Sequence, residues 1–123
     1  MKKNFNFFLL KLRGFFIISF CCTFFYLSLP KELNAIEAGL GENLFKHNCA
    51  GCHINGGNII RRSKNLKISS LKRNGIDNPD AIAEIARQGI GTMRGYEDEL
   101  GTNGDKIVAN WVWTQAQKAW VQE

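Results

Sequence analysis

The residues Cys49-Ala50-Gly51-Cys52-His53 carry the most specific chemistry in the chain. Two thiols three positions apart, near the end of a helix, can reach the two vinyl groups of one porphyrin. A His directly after the second Cys then lies under the iron, so the pattern reads as attachment of a c-type haem. A thioredoxin-like pair would need a βαβ pattern around it, and none is present. A structural zinc site needs four ligands. His47, Cys49, Cys52 and His53 supply that number, but all lie within seven residues, too crowded for a tetrahedron. A haem iron that transfers electrons wants a sixth ligand. Met93 is the only Met beyond position 1, and it sits in the Gly-rich stretch 89–95, where glycine lets backbone approach a flat cofactor. A lone Met is more often core filler, but a loop between helices is a less natural place for that. His53 and Met93 are therefore the expected axial pair. His47 is too close to His53 to reach the other face and reads as a surface helix residue.

These residues need a scaffold, and the composition limits what it can be. The chain has 123 residues, 16 Lys and Arg against 11 Asp and Glu, four Cys and two His. That is enough for one small domain. Residues 1–35 carry five basic groups and one acid, whereas residues 36–123 carry eleven and ten. The net charge of +5 is thus mostly an N-terminal property, which argues against a nucleic-acid-binding domain. Lys2, Lys3, Lys11 and Arg13 precede an apolar run over 14–29, and Ala35 offers a small residue for cleavage. Residues 1–35 read as a secretory signal peptide that is removed; a 16-residue run is short for a membrane anchor. Cys21 and Cys22 leave with it, and Phe20 argues against lipidation of Cys21. The remaining domain, 36–123, is small enough to need a staple or a cofactor. One bridge between Cys49 and Cys52 would close almost no loop.

The spacing of apolar residues gives helices and no convincing alternating strand. Gly39–Asn48 reads as a helix burying Leu40, Leu44 and Phe45. Ser69–Asn74 reads as a short helix stopped by Gly75. Asn78 caps a helix that has Pro79 first, Asp80 in its first turn and Gly89 at its end. A long helix is expected from Thr102 to Trp120, with Ile107, Val108, Trp111, Val112, Gln115 and Ala119 on its apolar face. Trp111, Trp113 and Trp120 read as packing residues. Arg61, Arg62, Lys64, Lys67, Lys72 and Arg73 form a run with no acid inside it, either a solvated face or a docking surface for an acidic partner.

The domain resembles cytochrome c6. The family reads CxxCHxNGGN, here Cys49 to Asn58 with Asn55-Gly56-Gly57-Asn58 intact. Its Lys-Thr-Leu and Lys-Asn-Gly segments correspond to Lys64-Asn65-Leu66 and Arg73-Asn74-Gly75. The C-terminal pattern is similar to Val108-Ala109-Asn110-Trp111-Val112, Gln115-Ala116 and Ala119-Trp120. The resemblance implies an all-α class I cytochrome c fold of about four helices around one covalently attached haem. It implies thioethers at Cys49 and Cys52, axial ligands His53 and Met93, and a turn against the haem at Asn55–Asn58. It also implies a monomeric soluble electron carrier, not an enzyme, of the thylakoid lumen. Its partners would be cytochrome f of the b6f complex and photosystem I. A periplasmic location, a different redox partner and a haem-based sensor are the alternatives. Two positions depart from the family. Arg94 follows the distal ligand where Pro is usual, placing a charge near the expected haem edge. Arg62 stands where Pro is common, leaving the carbonyl of Arg61 or Arg62 to hold the proximal His ring.

Overall fold

The computed structural model describes residues 31–121. The expected signal peptide lies outside the described residues up to position 30. A compact unit begins at Ala35.

Helix α1 spans Lys31–Asn48, eight residues earlier than the apolar spacing placed its start. Its last turn carries Lys46 and His47, which complement the helix dipole, and Lys46 pairs with Glu42 one turn back at 2.6 Å. Phe45 is buried, but Leu40 is 46% exposed, so the inward face is one position round from the expected one. Gly41 is the reason. A methyl there would lie 2.6 Å from Trp111 Cβ and 2.9 Å from the Ile107 carbonyl, so the missing side chain lets α1 cross the C-terminal helix closely. His47 is exposed, as expected, with Nδ1 2.8 Å from the Asn43 carbonyl.

Two 3₁₀ turns follow, Ile54–Gly56 and Arg62–Lys64. Helix α2 spans Ile68–Arg73. It closes with Gly75 N–H donating to the Lys72 carbonyl and Ile76 N–H to that of Leu71, a Schellman motif. Helix α3 spans Pro79–Gln88 and starts as its sequence demands: Asn78 Oδ1 accepts from Ala81 N–H at 2.9 Å, with Pro79 first and Asp80 in the opening turn. A two-stranded antiparallel hairpin then appears, β1 (Gly89–Ile90) and β2 (Met93–Arg94), with Gly89 opposite Arg94 and Ile90 opposite Met93. No strand was expected; two residues are too few for alternation to register. Helix α4 is one turn, Glu97–Leu100. Helix α5 spans Gly104–Gln117 and is shorter than expected at both ends. Positive φ at Asn103 begins it, and positive φ at Ala119 and Trp120 bends the chain back after it. Ala119 is consequently exposed, and Ala116 takes the buried place.

The core is α5 against α3, with Phe45, Leu71 and Leu100 added. Phe45, Trp111 and Trp120 form an aromatic cluster with centroids 4.8–5.7 Å apart, and Trp113 packs half-buried against the core. Four of the ten buried apolar residues are alanines: Ala83, Ala86, Ala109 and Ala116.

Candidate haem site

Beyond α1 the chain continues in tight turns. Cys49 N–H donates to the Phe45 carbonyl at 2.8 Å, and His53 N–H to the Cys49 carbonyl at 2.9 Å. Cys49, Cys52 and His53 therefore occupy one turn, with Cys49 half-buried, Cys52 exposed and His53 buried. His53 Nδ1–H donates to the carbonyl of Gly57 at 2.8 Å, which fixes the ring and leaves Nε2 with its lone pair for a metal. The carbonyl expected from Arg61 or Arg62 is thus corrected to Gly57. The four-residue return from His53 is closer than the Arg61–Arg62 loop, which Asn58 holds separately. Asn58 Oδ1 accepts from Ile60 and Arg61 N–H at 3.0 and 2.7 Å, and its amide donates to the Lys64 carbonyl at 3.0 Å. Asn55–Asn58 do form the expected turn, with Asn55 and Gly56 in the left-handed region.

Cys49, Cys52 and His53 line one cavity of about 600 Å³, within the usual size of a cofactor site. Met93, on β2, lines the same cavity. Its walls include Ile82, Ile85, Val108 and Val112, and its polar lining includes Arg61, Lys64, Asn65 and Asn74. Lys64 Nζ donates to Asn74 Oδ1 at 2.5 Å. Haem is a flat apolar ring with two carboxylates on one edge, so apolar walls with a cationic margin suit it. The donor set suits it equally: two thiols for the vinyl groups, an imidazole nitrogen and a thioether sulfur for the iron. Burial, and next the neighbouring Cys52, push the Cys49 thiol up to about 11. That is opposite to the lowered value of a redox-active CxxC pair. Among the described residues, no group of three or more His, Cys, Asp or Glu converges as a metal cluster would require.

Arg94, expected to place a charge near the haem edge, lines the cavity and is held there by two neighbours. Its Nη1 lies 2.5 Å from Glu99 Oε1, and its Cζ sits 4.3 Å from the Tyr96 ring centre. Tyr96 and Glu99 carry no sequence signal of their own, because both reach Arg94 only through the turn into α4. The six residues of the basic run are all exposed.

Residues 37–112 match the family model described as cytochrome C oxidase, cbb3-type, subunit III. The cytochrome c6-like protein of Nostoc sp. (strain PCC 7120) is 44% identical over 80% of this chain and 90% of its own. The cytochrome c6 of Synechocystis sp. (strain PCC 6803) is 35% identical over 88% of this chain and 92% of its own. The crystal structure of cytochrome c6B from Synechococcus sp. WH8102 is 61% identical, with a TM-score of 0.67 over 69% of this chain and 97% of that one. The chain belongs to the cytochrome c6 family. Its helices are those of the class I cytochrome c fold, as the sequence led us to expect, and its cofactor is a covalently bound haem c. No helix among the described residues is long and apolar enough to cross a membrane.

Proposed function

We propose that this cytochrome c6 family member is a one-electron carrier, exported with loss of residues 1–35. In this reading Cys49 and Cys52 hold the haem by thioethers, His53 Nε2 is its proximal ligand and Met93 sulfur its distal ligand. The convergence of both Cys, His53 and Met93 on a single cavity carries the proposal. Bound there, the haem supplies the redox couple. The chain's own residues do the rest. Gly57 fixes the imidazole, the apolar walls keep the dielectric low, and exposed Cys52, Ile60 and Ile90 leave one side of the cavity near the surface.

The proposed partners are cytochrome f of the b6f complex as donor and photosystem I as acceptor, in the thylakoid lumen. The stretch 43–76 contains no Asp or Glu and seven Lys or Arg, and two of them, Arg61 and Lys64, line the cavity. Charge placed there steers encounter with an acidic surface. The test is the rate of reduction by cytochrome f and of oxidation by photosystem I against ionic strength, for the wild type and for Lys67→Glu/Lys72→Glu. Rates that fall with salt in the wild type and are flatter in the variant support the reading. No exchange with either complex at any ionic strength overturns it. A second reading, a different redox partner, is favoured by the order of identities: 61% to cytochrome c6B and 44% to the c6-like protein, against 35% to the Synechocystis cytochrome c6. Active exchange with only one of the two complexes would select it.

A further inference from the structure

The strand that carries Met93 is only two residues long. On one side it pairs with β1, through Ile90 opposite Met93 and Gly89 opposite Arg94. A hairpin of that size has little stability of its own. Its other restraint comes from the residue after the ligand. The Arg94 guanidinium pairs with Glu99 on α4 and stacks on Tyr96, which precedes that helix. Tyr96 is itself tied back, its N–H donating to the Ala86 carbonyl of α3 at 2.9 Å. Between them Gly95 lies so close to the end of α3 that a side chain there would meet the Gln88 backbone. The distal loop thus runs from α3 to α4 with Arg94 as the cross-tie.

We propose that Arg94 is a positioning residue for the distal ligand: through Glu99 and Tyr96 it holds β2 in place, and so limits how readily Met93 leaves the iron and an outside ligand takes its position. The inference rests on Met93 ligation as proposed above. Loosening the tie lets β2 sample arrangements in which Met93 is away from the iron. The apparent affinity of a competing ligand rises with the population of those arrangements. The side chains of Arg94 and Glu99 are 64% and 36% exposed, so the pair is screened and its effect is modest and salt-dependent.

The experiment titrates the ferric holoprotein with imidazole and follows the near-infrared sulfur-to-iron band, at low and high salt. The variants are Glu99→Gln, Arg94→Ala and Arg94→Lys. All should show the band before imidazole is added. At low salt Glu99→Gln and Arg94→Ala should bind imidazole about two- to five-fold more tightly than the wild type, the range of a partly exposed ion pair. High salt should bring the wild type toward the variants and leave them unmoved. Arg94→Lys keeps the charge pair and should recover most of the wild-type value. Wild-type affinity in Glu99→Gln and Arg94→Ala at both salts, with the band present, overturns the proposal even if their melting temperatures fall. A wild type without the band shows instead that Met93 is not the ligand, and removes the ground of this inference with it.

Discussion

Gly56→Ala should be among the most damaging single-methyl additions to this domain. Gly56 has φ +71°, and an alanine held in the left-handed region costs about 1–2 kcal/mol. The methyl would also enter the indole of Trp120, whose Cδ1 lies 2.5 Å from the position it would take. The indole has little room to retreat. Its Nε1–H donates to the Leu66 carbonyl at 3.1 Å, and its ring lies 5.4 Å from Phe45 and 5.7 Å from Trp111. Forced overpacking of this kind costs about 1–3 kcal/mol. The two effects together give about 2–5 kcal/mol, a large share of a typical total of about 5–15. The assay is guanidinium unfolding of the holoprotein, followed by tryptophan fluorescence. Gly75→Ala is the control, since φ there is +75° but no atom lies within 4 Å of the added methyl. It should lose only the backbone part, about 1–2 kcal/mol. Trp120→Ala should make the Gly56→Ala penalty smaller, a coupling the double variant reads directly. A Gly56→Ala cost no greater than that of Gly75→Ala refutes the packing argument.

Three other outcomes are expected. Cys49→Ser/Cys52→Ser should lose covalent haem, so that colour passes into acid-acetone, and the resulting apo-domain, with its alanine-rich core, should be largely unfolded by circular dichroism. Met93→Ala should abolish the near-infrared band, and Met93→His should lower the reduction potential in voltammetry, because Met/His ligation raises it. The hydrogen bond from Arg94 holds the Glu99 carboxyl below its ordinary value of 4.5. Its contribution to stability is therefore present above pH 4.5 and lost as pH falls through the lowered value. The stability difference between wild type and Glu99→Gln, measured by unfolding at a series of pH values, should close below pH 4.5, and a gap that persists in acid would exclude the pair as its source.

Local signals carried much of this site, and they failed where the cause was not local. The CxxCH spacing and the Asn78-Pro79 cap are complete within a few residues, so they were legible before any packing was known. The proposed distal ligand Met93 was legible through elimination, being the only Met outside the expected signal peptide. The inward face of α1 was misplaced because apolar spacing counts Leu40 and cannot see that Gly41 is the point of closest approach to α5. Ala119 was misplaced because nothing in its neighbourhood announces two consecutive positive φ values, which serve to seat Trp120 over Gly56. The proximal carbonyl was sought at a position defined by a missing Pro, whereas the chain already turns sharply enough at Asn55 and Gly56 to bring Gly57 back to His53.

The ordering of charge along the chain gives Arg94 a different meaning from Arg61 and Lys64, which line the same cavity. From Asn43 to Ile76 there is no acid, but from Asp77 to Asp105 there are seven. A cation within the first stretch adds to a field of one sign and acts at a distance. A cation within the second finds carboxylates nearby, and both Arg87 and Arg94 are paired there, Arg87 with Glu84 and Arg94 with Glu99. A charge already offset by its neighbour contributes little to long-range steering, because the field of the pair falls off faster than that of either member. What remains to it is the short-range work of holding two segments together. The proline usual in the family restricts the same loop by fixing φ. Arg94 keeps its backbone freedom and ties the loop through its side chain, and that kind of restraint, unlike a proline, weakens with salt and acid.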